Sequence, residues 1–204
     1  MPKAQVTRIP VPLNEAGCDE AGRGCLAGPV VAAAVILGEG FDLNRVDDSK
    51  QLSAKARESA RRYIEENATA FSVFSCCNEE IDRINILQAS MKAMHGAVDH
   101  LGIIPPRLWI DGHYFVAHEN IPHTCVVGGD AKVACIAAAS ILAKTYRDAL
   151  MQDYHARYPF YGWDVNKGYP TIGHRNSIGL HGPSPLHRRS FRFQASPGTL
   201  DFGE

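Results

Sequence analysis

The chain has 204 residues, of which 45% are apolar and 21% charged, and a formal net charge of −1. That length suits one domain, or one domain with a small appendage, and the composition excludes wholesale disorder. No run approaches the roughly 18 uninterrupted apolar residues of a membrane span, and residues 1–12 lack the apolar stretch of a secretory signal.

Six cysteines, at 18, 25, 76, 77, 125 and 135, form no C-x-x-C pair. This argues against a zinc site or a disulfide scaffold and for reduced thiols in a cytoplasmic protein. Charge is unevenly spread. Residues 144–193 carry eight Lys/Arg and three acids, a net of +5, and the remainder carries 13 basic and 19 acidic residues, a net of −6. A basic final third beside an acidic remainder fits a polyanion surface next to an acidic site, and it also fits a solvated helical face.

In chain order, Leu13, Asn14, Glu15 and Ala16 make a poor apolar strand, which leaves the register of a first strand open. Pro29 to Leu37 is a continuous apolar run between Gly28 and Gly38, the pattern of a buried strand. Ser53 reads as the N-cap of a charged helix from Ala54 to Asn67. Thr69 to Cys76 alternates like a strand, with Phe71, Val73 and Ser75 on one side. Ile86, Met91, Met94, Val98 and Leu101 recur at near-helical spacing, closed by Gly102. Arg107 to Ile110 reads as a short strand ending at Asp111, and Thr124 to Val127 as another ending at Gly128-Gly129-Asp130. One long helix is expected over roughly 131–158, with small residues Ala137 to Ser140 allowing close packing on a sheet. Short helices are expected near Thr171–Gly179 and Ser184–Ser190, and a frayed tail over 195–204. Strands alternating with helices give an α/β class.

The chemistry concentrates in GCDEAGRGCLAG, residues 17–28, where Asp19 and Glu20 precede Gly22-Arg23-Gly24. The run is neither a P-loop nor a dinucleotide fingerprint. Its glycines can let a backbone approach a ligand, or they form a plain tight turn with surface charges. Asp111 and Asp130 each follow a predicted strand and lie next to glycine, and strand ends are where α/β sheets build sites. If Asp19, Glu20, Asp111 and Asp130 converge, their mutual repulsion calls for divalent cations, and all-oxygen ligation favours Mg²⁺ or Mn²⁺. Two such ions about 4 Å apart can activate water and stabilise a leaving oxygen in phosphodiester cleavage. Adjacent strand residues point to opposite faces, so Asp19 and Glu20 share a site only if the strand ends or bends there.

Taken together, GCDEAGRGCLAGPVVAAAVIL (17–37), DDSKQLS (47–53), WIDGH (109–113), VVGGDAKVACIAAASILAKTYRD (126–148) and NKGYPTIGH (166–174) resemble ribonuclease HII. The resemblance implies an RNase H-like α/β fold, a mixed sheet flanked by helices, with a smaller helical C-terminal part. On this chain the parts would be a catalytic core over 1–158, a substrate-binding part over 159–194 and a tail over 195–204. It implies an endoribonuclease that cleaves the RNA strand of RNA–DNA hybrids, including single ribonucleotides embedded in duplex DNA. The expected cofactor is Mg²⁺ or Mn²⁺, two ions at turnover, and the product ends are 3′-hydroxyl and 5′-phosphate. The catalytic acids and metal ligands would be Asp19, Glu20, Asp111 and Asp130. Gly22, Arg23 and Gly24 would contact the 2′-hydroxyl region, Tyr169 would sense the substrate, and Lys50 and Lys144 would hold phosphates.

The histidines, His113 and His174 included, read as loop residues and not metal ligands, and Asp148 as half of a helix ion pair. A monomer without an obligate protein partner is expected, and no sliding-clamp partner, because the final residues lack a Gln followed by paired aromatics. Two other readings stay open on the residues alone. One is a non-catalytic hybrid-binding module of the same fold. The other is a Gly-rich phosphotransferase, which the missing Walker lysine disfavours.

Overall fold

The computed structural model describes residues 14–46 and 53–193. Five strands form one mixed sheet: β1 (Ala16–Ala21), β2 (Val30–Leu37), β3 (Ala68–Cys76), β4 (Leu108–Asp111) and β5 (His123–Val126), in the order β3-β2-β1-β4-β5. β1, β2 and β3 pair antiparallel, and β4 and β5 add parallel beyond β1. Central β2, all Val, Ala, Ile and Leu, is buried on both faces because helices cover both.

On one face packs α3 (Ile86–Asp99), whose Met91, Met94 and Ala97 meet Cys18, Ala34 and Ile110. On the other lie α1 (Ala54–Asn67) and α5 (Ala134–Arg157), whose Ile64, Ala138 and Leu142 meet Ala33 and Val35. The small residues at the start of α5 let its backbone lie directly on β1. A Cβ added at Gly17 would overlap the Cys135 carbonyl carbon.

β1, whose register the sequence left open, starts at Ala16, runs through both Asp19 and Glu20 and ends just before Gly22, whose φ is +97°, in line with the expected turn at Gly-Arg-Gly. Several expectations need correction. The helix predicted to close at Gly102 ends at Asp99, where the His100 amide donates to Gly96 O at 3.2 Å. An unexpected α2 (Asn78–Ile84) precedes it. Asn85 separates the two with φ 68°, and its side chain caps α3 by accepting from the Gln88 amide at 3.1 Å. The single long helix is two, α4 (Gly129–Lys132) and α5, because Val133 is extended at φ −125° and buried with Ile136 and Trp109. The C-terminal part holds α6 (Trp163–Asn166) and α7 (Ile172–His181). Ser184–Ser190 is turns and not a helix. Pro183 and Pro185 remove two amide donors there, and Ala27 pairs with His187 in an isolated bridge. The expected tail lies outside the described residues.

Candidate active site

The acids meet because of the register between β1 and β4. Cys18 pairs with Ile110, so Asp19 and Asp111 stand side by side at the ends of neighbouring parallel strands. By alternation both share the face of Gly17 and Trp109, toward α5. Glu20 falls on the opposite parity and still lines the same cleft, because the chain turns at Gly22 just beyond it.

That cleft has a volume of about 250 Å³ and is lined by Asp19, Glu20, Gly22, Arg23, Gly24, Asp111, Ser140, Lys144 and Tyr169. Asp19 is only 5% exposed. Burial, then the nearby charges of Glu20 and Asp111, raise its carboxyl well above the usual range, opposed by hydrogen bonds from Ser140 and from the Glu20 amide at 2.7 Å. Burial also raises Glu20, against the Arg23 guanidinium, which sits 3.0 Å from its Oε1.

Asp130 follows β5 next to Gly129, as the sequence implies. It lies on α4, buried at 4% exposure, and is not among the residues lining the cleft. It is linked to the cleft through its neighbour, since the Gly129 amide donates to Asp111 Oδ1 at 2.7 Å. Lys50 lies outside the described residues. Lys144 does line the cleft, 2.7 Å from Asp148 and 5.6 Å from the Tyr169 ring centroid. Asp148 is thus a helix ion-pair partner, as expected. His174 is no loop residue. It is wholly buried on α7, where its Nε2 accepts from Trp163 Nε1 at 2.9 Å and its Nδ1 donates to Tyr169 O at 2.9 Å.

Sequence reasoning passed over Ser140 as a packing residue and did not consider Arg147 or Arg188. A signal existed for two of them: Ser140, Lys144 and Arg147 recur at i, i+4 and i+7, a polar stripe along one side of the helix.

The donor set fits a hard divalent cation. Three carboxylates converge, Asp19 held above its usual range by burial and by the charges of Glu20 and Asp111, Glu20 by burial and the charge of Asp111, and a cation is what lets them ionise together. Among the described residues, the group with three ligand-type atoms all within 4.8 Å is a separate one, Asp99, His118 and Glu119, so the cleft acids stand in a looser arrangement.

A mixed β3-β2-β1-β4-β5 sheet between helical layers, with acids at the ends of two adjacent parallel strands, defines the class as ribonuclease H-like in fold. The fold is similar to that of RNase HII from Archaeoglobus fulgidus, solved as a PCNA:RNase HII complex, with a TM-score of 0.74 and 23% identity over 89% of this chain and 96% of that one. It is also similar to Bst-RNase HIII in complex with Mn²⁺, with a TM-score of 0.65 and 20% identity over 88% of this chain and 67% of that one. The family model for ribonuclease HII matches residues 16–194. A ribonuclease HII of Bacteroides thetaiotaomicron is 57% identical over 179 residues, 88% of this chain and 90% of that protein. The chain belongs to the ribonuclease HII family, and it is a metal-dependent ribonuclease H endonuclease.

Proposed function

We propose that this ribonuclease H hydrolyses the RNA strand of RNA–DNA hybrids and also cuts at single ribonucleotides embedded in duplex DNA, leaving 3′-hydroxyl and 5′-phosphate ends. The observation that carries the reading is the cleft itself. It unites the acids Asp19, Glu20 and Asp111 with the groups suited to reading a ribose, Gly22, Arg23, Gly24 and Tyr169.

In this reading Asp19, Glu20, Asp111 and Asp130 would hold two Mg²⁺ or Mn²⁺ ions. When bound, the ions supply an activated water and charge stabilisation for the departing oxygen. The chain's own residues do the rest. Ser140 and the Glu20 amide orient the Asp19 carboxylate, and Gly129 orients Asp111. Backbone groups at Gly22 and Gly24 and the Tyr169 hydroxyl recognise the 2′-hydroxyl, the one group that separates RNA from DNA at a single position. Arg23 and Lys144, together with Lys50, hold phosphates, and the basic part over 159–194 follows the duplex backbone. We take the enzyme to be a monomer and place it in the cytoplasm, the latter supported by its free cysteines. No helix among the described residues is long and apolar enough to cross a membrane.

The test is cleavage of a duplex carrying one ribonucleotide, read on a sequencing gel. Wild type with Mg²⁺ gives a single cut with a 3′-hydroxyl end. Chelator abolishes it, and Asp111→Asn lowers the rate by at least about 100-fold. Wild-type-like cleavage by Asp111→Asn would overturn the assignment.

A further inference from the structure

Two guanidinium groups lie wholly buried behind the cleft, Arg147 on α5 and Arg188 in the C-terminal turns, each 0% exposed. Among the described residues, no carboxylate forms an ion pair with either. Asp148, next to Arg147 in sequence, is engaged by Lys144 and Arg57 instead. Their protons go to main-chain carbonyls. Arg147 donates from Nε to Pro29 O at 3.0 Å, from Nη2 to Ala27 O at 3.1 Å and from Nη1 to Lys167 O at 2.8 Å. Arg188 donates from Nε to Gly28 O at 3.0 Å and from Nη1 to Arg23 O at 2.9 Å, and its buried Nη2 has no partner among the described residues.

Five carbonyls, of residues 23, 27, 28, 29 and 167, are thus drawn onto two cations. The first four belong to the segment joining the acids of β1 to β2, and the fifth to the turn that carries Tyr169. The two segments also touch directly, since the Leu26 amide donates to Gly168 O at 2.8 Å. Gly22 leaves no space between the segment and the arginine, because a Cβ there would overlap Arg147 Nε. Two buried cations and an unsatisfied donor are an expensive way to fill a core. What a planar guanidinium adds over an apolar plug is geometry, because it fixes several acceptors in one plane.

We propose that Arg147 and Arg188 are positioning residues for ribose recognition, locking the 23–29 segment to the 167–169 turn so that Gly22–Gly24 and Tyr169 address the same 2′-hydroxyl. The proposal rests on the reading above that those groups recognise the ribose. A two-part reader assembled from segments so distant in sequence needs a rigid tie, since errors near 0.5 Å spoil such a site.

Arg147→Lys and Arg188→Lys keep the charge and lose the fork. On a duplex with one ribonucleotide, each is expected to lower kcat by about 10-fold or more with KM within about 3-fold, measured well below its melting temperature. In the Arg147→Lys background, Tyr169→Phe is expected to add less than about 2-fold, because the arginine acts through the tyrosine. A smaller loss of kcat, or losses that multiply, overturns the proposal. If neither variant folds, hydrogen exchange on the wild-type chain decides. Amides of 26, 28 and 169 opening at rates within about 3-fold support the tie, and a wider spread overturns it. If wild type leaves one-ribonucleotide duplexes uncut, the substrate reading fails, and the exchange rates still judge the tie.

Discussion

Asp19 shows how one buried side chain couples function to stability. Its carboxyl is held above the unfolded value by burial and by the charges of Glu20 and Asp111. A folded carboxyl with a raised pKa binds its proton more tightly than the unfolded chain does, so stability falls as pH rises from the unfolded value through the folded one. In chelator, Asp19→Asn is therefore expected to melt higher than wild type, with a gap that widens as pH rises above about 4. Adding Mg²⁺ raises the wild-type melting temperature and narrows the gap, while cleavage by the variant stays at least about 100-fold down. Thermal melts across that range, with and without metal, check both signs. The acids and the Gly-Arg-Gly run were legible as residues because their types and order are unusual. Ser140 was not, since a serine on an alanine-rich helix reads as packing until the sheet brings Asp19 beside it.

At the scale of elements, local chemistry was often enough. Ser53 caps α1 as its position implies, accepting from the Ala56 amide at 3.2 Å. Ser53→Ala should cost about 1 kcal/mol in urea unfolding and leave kcat unchanged. Close approach is a different matter. Gly17 lets α5 lie on β1, and a methyl there meets the Cys135 backbone. Gly17→Ala should cost about 3 kcal/mol by the same measurement and lower cleavage too, because Asp19 is two residues along the strand. The break at Val133 and the turn at Asn85 escaped sequence reasoning for a shared reason. Both are backbone departures inside helix-compatible stretches, imposed by what the side chains find when they are buried.

At the scale of the whole molecule, the C-terminal segment is held to the β1–β2 connection and to α5 by Leu26, Ala27 and Met151 packing with Tyr161, Trp163 and Ile178. A relay of buried rings runs beneath it. Trp163 donates to His174, which lies 3.2 Å from His187 Nε2, and the Ser184 amide donates to His187 Nδ1 at 2.9 Å. Burial, and then His174, push His187 from 6.5 down to about 4. A histidine held neutral stabilises the fold fully above its unfolded value, and that stability is lost as pH falls toward the folded one. Acidification from pH 6.5 to 4 should therefore remove on the order of 2–3 kcal/mol through this ring. His187→Gln should flatten the pH dependence of denaturant unfolding over that window by about one proton. An unchanged slope would show that the relay does not carry this linkage.

The sequence by itself determined the α/β class, most strand and helix positions, the acid and glycine types in the site and the family. All of these follow from local propensity, periodicity and residue order. Only the tertiary structure decided that β1 runs through both acids, that Asp130 stands on a short helix beside the Gly129 amide that bonds Asp111, and that Arg147 and Arg188 lie buried with no carboxylate ion pair among the described residues. Those facts depend on strand register, on helix-to-sheet distance and on which polar atoms remain to be satisfied after burial. Such quantities exist only between segments, so no single stretch of chain contains them.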